Sequence, residues 1–227
     1  MAAPAWRLWI DPVPRPGWWQ MAVDAALLER AALGAPPVIR FYAWEPRCLS
    51  FGRHEPARAR YDPAHLARRG LDAVRRPTGG RAVLHHRELT YAVAGQAGLL
   101  GGPRGCYDRL HAAIAAALEA LGAPTTRAAA PVSPVGVDAG PCFRVAAGGE
   151  VLVGARKVAG SAQARVRGAL LQHGSVRVPF ATLAGPLAEA LRPLAARWQD
   201  VDDDAEARAL AEGHAARFRD TAWTWWR

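Results

Sequence analysis

The side chain with the clearest chemical potential is Lys157, because it is the only lysine among 29 lysines and arginines. Arginine keeps its charge, whereas a lysine amine can lose its proton and act as a base. The surrounding residues 154–163 are mostly small or apolar. Such surroundings favour the uncharged, basic form of an amine. We therefore expect Lys157 to be a base or the partner of a carbonyl group, with a solvent-facing strand lysine as the alternative.

A second candidate is Cys142, one of three cysteines. It precedes the lysine segment, and a thiol near a cation is activated as the nucleophilic thiolate. Cys48 lies in an apolar, strand-like stretch. Cys106 stands at a predicted helix start, where the helix dipole can favour a thiolate, so it is the second choice for a nucleophile. Three scattered cysteines without a CxxC pair predict no disulfide framework and no zinc site, and we expect a cytoplasmic protein.

A glycine turn flanked by arginines, residues 75–81 (RRPTGGR), is a third candidate. Paired glycines expose backbone N–H groups to an anionic or carbonyl ligand, and neighbouring arginines can bind phosphate or carboxylate. The spacing fits neither a Walker A loop nor GxGxxG. A β-hairpin turn without a ligand is the alternative interpretation.

The histidines do not predict a metal site. His85 and His86 are adjacent on a predicted strand, so their side chains point to opposite faces. His173 lies at a predicted strand bend, and the sequence contains no HExxH or similar ligand pair. A hydrogen-bonded structural role is the alternative for each histidine.

The elements that must position these residues alternate between helix and strand. The sequence predicts helices over residues 20–33, 63–69, 107–121, 183–196 and 204–218. It predicts strands over residues 38–43, 48–52, 89–93, 150–153, 156–160 and 169–178, and two strands around the glycine turn within 74–85. A long loop over 123–141 and a packed C-terminal anchor over 223–227 complete a single predicted domain, residues 1–227.

Composition narrows the class of protein. The chain has 227 residues, of which 51% are hydrophobic and 22% charged, as in ordinary globular proteins. No run of about 18 apolar residues predicts a membrane span, and the N-terminal sequence predicts no secretory signal. The net charge of +9 favours acidic partners. Because the arginines are spread along the chain, nucleic acid is not the expected partner.

Several motifs, in the expected order, resemble the lipoate–protein ligase and octanoyltransferase group of the biotin/lipoate protein ligase catalytic-domain superfamily. They are RRPTGGRAVLH (75–85), ELTY (88–91), KVAGSAQ (157–163) and LQHGS (171–175), with MAVD (21–24) and SFGR (50–53) as N-terminal markers. The resemblance implies an α+β fold, a biotin/lipoate protein ligase-like catalytic domain with mixed, mainly antiparallel sheets flanked by helices.

Within that group the motifs look most like octanoyl-[acyl carrier protein]:protein octanoyltransferases of the LipM-like type. The resemblance implies that Cys142 takes an octanoyl group from the phosphopantetheine of acyl carrier protein, helped by Lys157. The acceptor would be a lysine of a lipoyl-domain protein, such as glycine cleavage H protein or an E2 subunit, with no membrane and no cofactor of the enzyme's own. The implied substrate-binding residues are Arg76, Thr78, Gly79, Gly80, Arg81, His85, Gly160, Ser161, Ala162 and His173.

Three departures from the group's usual pattern bear on acceptor choice: His86 where Asp is usual, Ala25 where Glu is usual, and the altered loop over 144–149. One alternative is an ATP-dependent lipoate–protein ligase, which forms an acyl-adenylate and needs no cysteine. The residues after the last motif predict two helices rather than a small ligase domain, which favours the transferase. The alternative of a different class is a non-catalytic module that binds acyl-proteins or nucleic acid.

Overall fold

The structure, a computed structural model, describes residues 5–129 and 140–227. Its strands are β1 (Trp6–Ile10), β2 (Val38–Tyr42), β3 (Cys48–Phe51), β4 (Asp72–Arg75), β5 (Val83–His85), β6 (Glu88–Gln96), β7 (Thr125–Arg127), β8 (Val151–Val153), β9 (Arg156–Lys157), β10 (Ala159–Val166), β11 (Ala169–Pro179) and β12 (Trp198–Val201). Its α-helices are α1 (Gly17–Ala32), α2 (Ala57–Arg60), α3 (Pro63–Arg68), α4 (Gly102–Ala120), α5 (Phe180–Leu191), α6 (Ala205–Arg219) and α7 (Thr221–Thr224). Short 3₁₀ helices cover Leu99–Gly101 and Arg192–Leu194.

A six-stranded sheet organises the fold, in the order β10-β11-β6-β2-β1-β12. Its first four strands pair antiparallel, and β1 pairs parallel with both β2 and β12. Two smaller sheets have the orders β4-β3-β5 and β7-β8-β9. The predicted α+β class with mixed, mainly antiparallel sheets is therefore confirmed.

Helices cover both faces of the six-stranded sheet. Along β6, Tyr91 and Val93 belong to the core shared with α4 and α5, and Ala92 and Ala94 belong to the core shared with α1 and α6. Because side chains alternate between faces, a strand buried on both faces is apolar throughout. This explains the unbroken run Tyr91–Gly95 in β6, which contains no charged or amide side chain.

The predicted long helix over 107–121 is present in α4, which begins five residues earlier and ends at Ala120. Its core-facing side chains Leu110, Ile114, Ala117 and Leu118 are buried, whereas Leu121, which follows the helix, is 42% exposed. Asp62 caps the N-terminus of α3, since its carboxylate accepts a hydrogen bond from the backbone N–H of Ala64 at 2.9 Å.

The hairpin interpretation of the glycine turn is wrong. β4 and β5 lie on opposite sides of β3, parallel and antiparallel to it respectively. The turn therefore connects two outer strands across a central one. Strands β1 and β12 were not predicted. β12 is a short, mostly polar edge strand, and it pairs with β1 across about 190 positions of sequence.

The predicted loop over 123–141 contains β7, and its residues 130–139 lie outside the described part of the chain. The predicted C-terminal anchor packs on the small sheet, where the ring of Trp225 lies 5.1 Å from that of Phe51. Within residues 5–129 and 140–227, no helix combines the length and apolarity needed to cross a bilayer.

Candidate active site

A cleft lies between the six-stranded sheet and the β4-β3-β5 sheet. The lining residues are Met21, Tyr42, Trp44, Arg76, Gly80, Arg81, Val83, His85, Thr90, Cys142, Gly160, Ser161, Ala162, His173, Gly174 and Ser175. The cleft therefore brings together Cys142 and residues from five of the sequence motifs.

Cys142 and Lys157 are in contact beside this cleft. The Nζ of Lys157 lies 3.2 Å from the Sγ of Cys142 and donates to the backbone carbonyl of Cys142 at 2.8 Å. Cys142 is partly exposed, whereas Lys157 is only 4% exposed. A cation at this distance from a sulfur stabilises the thiolate. The pair has the geometry of a nucleophile and its activating group.

Glu150 completes the surroundings of the amine. Its Oε1 lies 2.7 Å from the Nζ of Lys157, and its Oε2 accepts from the backbone N–H of Ala147 at 2.6 Å. An ammonium has three N–H donors, and here it meets three acceptors: a carboxylate, a carbonyl and a sulfur. Sequence reasoning gave Glu150 no role, although it is a buried carboxylate close in sequence to the lone lysine.

Gly160 lets these side chains approach strand β10. A Cβ at this position would lie 3.0 Å from the Cε of Lys157 and 3.3 Å from the Sγ of Cys142. Gly174 on the neighbouring strand is equally restricted, because a Cβ there would lie 2.6 Å from the carbonyl oxygen of Gly160. The two glycines therefore keep the floor of the cleft free of side chains next to the thiol.

Arg81 holds the loop that carries the thiol. Its guanidinium donates to the carbonyl oxygens of Gly140, Cys142 and Val145, at 3.3, 3.1 and 2.7 Å. The backbone N–H of Cys142 in turn donates to the carbonyl of Ala82 at 2.9 Å. The thiol loop is thus fixed to the residues that follow the glycine turn.

Arg76 shapes the turn from inside. It is 5% exposed and donates to the carbonyls of Ser50, Gly79 and Arg81 at 2.8, 3.0 and 3.0 Å. Burial lowers the pKa of Arg76. Sequence reasoning expected the turn's arginines to be available to an anion. In the structure Arg76 donates to protein carbonyls and to the Ser50 hydroxyl, and Arg81 donates to carbonyls of the loop that carries Cys142.

Of the other residues in the glycine turn, one lines the cleft and two bond to residues that line it. Gly80 has φ +90°, which favours glycine, and lies against the cleft with Ala162 opposite. Thr78 is buried beside the cleft, where its Oγ1 lies 2.5 Å from the Nε2 of His173. Gly79 contributes its carbonyl to Arg76.

His85 stacks on Trp44, with ring centroids 3.9 Å apart and planes at 10°. Its Nδ1 donates to Glu88 at 2.8 Å, and its Nε2 accepts from the hydroxyl of Ser50 at 2.7 Å. Burial lowers the pKa of His85 and outweighs the opposing effect of Glu88. Burial alone would raise the pKa of Glu88, but the hydrogen bond from His85 leaves it below its usual value. A neutral imidazole beside a carboxylate therefore lines this wall.

His173 is oriented in a similar way on the other wall. Its Nδ1 donates to Asp24 at 2.8 Å. Asp24 also accepts from the hydroxyl of Tyr42 at 2.9 Å and lies 3.6 Å from the fully buried guanidinium of Arg40. Asp24 and Glu88 lie in two of the sequence motifs, but the sequence predicted no role for either. A charged residue in an otherwise apolar helix face was the signal that could have identified Asp24.

The other two cysteines lie in apolar surroundings. Both Cys48 and Cys106 are fully buried. Burial raises the pKa of Cys48 well above its usual value, and burial raises the pKa of Cys106 to about 12. The prediction that the helix start favours a thiolate at Cys106 is wrong, because loss of hydration outweighs the dipole of α4. Within residues 5–129 and 140–227, no group of three or more His, Cys, Asp or Glu side chains could hold a metal ion.

Comparisons with known proteins agree on a family. The model of the lipoyl protein ligase A/B catalytic domain matches residues 16–203. Octanoyltransferase LipM of Moorella thermoacetica is 41% identical over 187 residues, covering 78% of this chain and 66% of that protein, just under two thirds of its length. Octanoyltransferase LipM of Kyrpidia tusciae is 36% identical over 218 residues, covering 90% of this chain and 75% of that protein.

Solved structures share the fold. Lipoate-protein ligase A bound with ATP superposes with a TM-score of 0.81 at 18% identity, covering 98% of this chain and 99% of that one. A structure from work on the bi-partite lipoate protein ligase of Thermoplasma acidophilum and its E2 lipoyl domain gives 0.74 at 18% identity, covering 97% and 96%. These likenesses confirm the predicted lipoate protein ligase-like fold. The chain belongs to the lipoyl protein ligase A/B catalytic-domain family, in the branch that contains the LipM octanoyltransferases.

Proposed function

We propose that this chain transfers an octanoyl group from acyl carrier protein to a lysine of a lipoyl-domain protein, through a thioester on Cys142. The observation that carries the proposal is the 3.2 Å contact between the Sγ of Cys142 and the Nζ of Lys157 beside the cleft. The LipM relatives support the choice of octanoyl transfer. In this proposal residues 1–227 act as one catalytic domain in the cytoplasm.

In the first half of the proposed reaction, the Cys142 thiolate attacks the carbonyl carbon of the octanoyl thioester. A new C–S bond forms to Cys142, and the C–S bond to the phosphopantetheine breaks. The leaving thiolate takes a proton from the Lys157 ammonium. A soft, charged sulfur suits attack on a thioester, and the nearby cation stabilises charge on the departing sulfur.

In the second half, the neutral amine of the acceptor lysine attacks the thioester on Cys142. A C–N bond forms, and the C–S bond breaks to return the Cys142 thiolate. The uncharged Lys157 amine accepts the proton that the acceptor nitrogen loses. Glu150, 2.7 Å from that amine, then stabilises the restored ammonium. The cycle closes without a nucleotide or another cofactor of the chain's own.

The cleft suits a short apolar chain with a reactive carbonyl at one end. Met21, Trp44 and Val83 give its walls apolar surface. Gly160 and Gly174 leave room beside the thiol. We place the octanoyl chain along these walls and its carbonyl near Cys142 and Lys157. In this proposal Arg76, Arg81 and Thr78 shape the site by holding its loops.

The proposed partners are proteins at both steps. A net charge of +9 favours association with acidic surfaces, which steer encounter without fixing affinity. The Thermoplasma ligase of similar fold is described together with an E2 lipoyl domain, and this supports a lipoyl-domain acceptor. We propose glycine cleavage H protein or an E2 subunit as the acceptor, and acyl carrier protein as the donor.

The test is intact-protein mass spectrometry after the chain is mixed with octanoyl-acyl carrier protein, without ATP and without acceptor. We expect an octanoyl adduct that hydroxylamine removes and that peptide mapping locates at Cys142. Adding the lipoyl domain should then discharge the adduct and yield an amide. Acceptor octanoylation only when free octanoate and ATP are supplied would instead identify an acyl-adenylate ligase, and Cys142 would then have a structural role.

A further inference from the structure

A continuous hydrogen-bond chain lies behind the strand that forms the cleft floor. It begins at Gln163, whose Nε2 donates to the Oε1 of Gln172 at 2.6 Å. Gln172 donates to the hydroxyl of Tyr91 at 3.0 Å, and Tyr91 is hydrogen-bonded to the hydroxyl of Ser161 at 2.6 Å. Ser161 is bonded to the Nε2 of His111 at 2.7 Å, and the Nδ1 of His111 lies 3.2 Å from the carbonyl oxygen of Gly149. The chain thus runs from β10 to the loop before β8.

The direction of this chain follows from its two ends. The carbonyl of Gly149 can only accept, so the Nδ1 of His111 carries the proton. A neutral His111 then accepts at Nε2 from Ser161, and Ser161 accepts from Tyr91. Burial, together with Arg127 and Lys157, lowers the pKa of His111 to about 3, so the imidazole is neutral at ordinary pH. His111 is fully buried, and every link is satisfied in a single direction.

The last link ends next to the candidate catalytic pair. Gly149 precedes Glu150, and its own N–H donates to the carbonyl of Ala128 at 2.8 Å. The N–H of Gly149, which donates to Ala128, and its carbonyl, which accepts from His111, are therefore both held. Gly149 has φ +80°, so its conformation is one that glycine readily adopts. The carbonyl of the peptide that joins Gly149 to Glu150 accepts from His111, and the N–H of that peptide donates to the carbonyl of Ala147 at 3.3 Å. The carboxylate of Glu150 in turn contacts the amine of Lys157.

We propose that His111 is a positioning residue for the Cys142–Lys157 pair and acts through the Gly149–Glu150 peptide. The inference rests on the proposed function, because it assigns reactivity to that pair. His111 contacts the pair only through intermediates, so it is not a catalytic residue. Small displacements of a catalytic group reduce rates strongly, and loss of this single donor allows such a displacement.

Two variants distinguish the hydrogen bonds made by the two ring nitrogens of His111, because each variant keeps only one of them. In His111→Asn, the side-chain amide sits near the position of Nδ1 and can still donate to Gly149, while the partner of Ser161 is lost. In His111→Gln, the amide sits near the position of Nε2 and keeps Ser161, while the donor to Gly149 is lost. Both replace the ring that packs against Tyr107, with ring centroids 4.0 Å apart and planes tilted by 31°, so they share the loss of packing.

The experiment measures single-turnover acylation of Cys142 and its alkylation by iodoacetamide at one pH, with urea unfolding of each variant. We expect His111→Gln to lower both rates about tenfold or more, and His111→Asn to stay within about threefold of the native chain. Tyr91→Phe, which removes the hydroxyl farther along the chain, should also stay within about threefold.

Equal losses in the Asn and Gln variants, or losses that follow only the urea midpoints, would overturn the proposal. The alkylation assay keeps this outcome separate from failure of the proposed function. If the native chain takes no octanoyl group yet its Cys142 alkylation still distinguishes Asn from Gln, the octanoyl transfer is wrong and the positioning role stands.

Discussion

Cys142 and Cys106 carry the same functional group in opposite surroundings. Cys142 is partly exposed at a cleft, with an amine 3.2 Å from its sulfur. Cys106 is fully buried in α4, where burial raises its pKa to about 12. The difference teaches that a nearby cation and access to water matter more for thiol chemistry than position near a helix start.

The largest effect expected from this comparison comes from removing each thiol in turn. Cys142→Ala should abolish the octanoyl adduct, because no other sulfur is activated at the cleft. Cys106→Ala and Cys48→Ala should keep the adduct and lower only the urea midpoint, because both side chains are packed in the core. Mass spectrometry of the three variants checks this. Full transfer by Cys142→Ala would overturn the thioester mechanism.

The next largest effect on Cys142 acylation is expected from replacing Lys157. Lys157→Arg should lower the acylation rate on the order of 100-fold, although it keeps the positive charge. A planar guanidinium cannot meet the carboxylate, carbonyl and sulfur from one compact centre, and it does not give up a proton to the leaving group. Single-turnover acylation measures the effect. Near-native turnover would mean that charge alone is required at this position.

A smaller effect is expected from crowding the pair. Gly160→Ala should lower acylation about tenfold, because its Cβ would lie 3.0 to 3.3 Å from Lys157 and Cys142. Gly213→Ala is the matched control, since a Cβ there meets open space in α6. That variant should keep its activity and gain about 0.5–1 kcal/mol in the free energy of unfolding. Equal activities would show that the floor tolerates a side chain.

The last effect is a pH dependence of the free energy of unfolding that comes from His111, which is buried in α4. Because the pKa of His111 falls to about 3 in the folded chain from the ordinary 6.5, folding favours its neutral form. The resulting contribution of His111 to the free energy of unfolding is present above pH 6.5 and is lost as the pH falls towards 3. From this residue we expect a loss of roughly 3 kcal/mol between pH 7 and pH 4. Urea unfolding of the native chain and of His111→Gln at both pH values measures it, and parallel losses would contradict the assignment.

Residue type and motif order predicted the most about the site. A lone lysine in an arginine-rich chain pointed to Lys157, a thiol ahead of that lysine segment pointed to Cys142, and paired glycines flanked by arginines pointed to the glycine turn. Their catalytic and binding roles stay predictions. The partners that orient them could not be predicted, because each joins distant parts of the chain: Asp24 meets His173 across 149 positions. Hydrogen bonds of this kind depend on sheet register, which local patterns do not contain.

The fold was predictable where periodicity is strong and unpredictable where long-range pairing decides. Helix α4 and strand β11 have clear apolar patterns, and both were expected near their observed positions. The glycine turn contains ordinary hairpin residues, yet its strands join β3 instead of each other. Cys106 failed as a candidate for a physical reason: the sequence shows a helix start but not how deeply that start is buried.

The parallel pairing of β1 with β12 has a consequence for synthesis of the chain. Trp6 pairs with Trp198, so β1 receives one of its neighbours only after the ribosome has also produced the residues between these two strands. Until then the outer edge of β1, with its tryptophans, is an open edge of the kind that recruits other strands. Pairings between such distant residues also slow folding. We therefore expect the edge of β1 to be exposed to wrong strand pairing until β12 has been made and has paired with it.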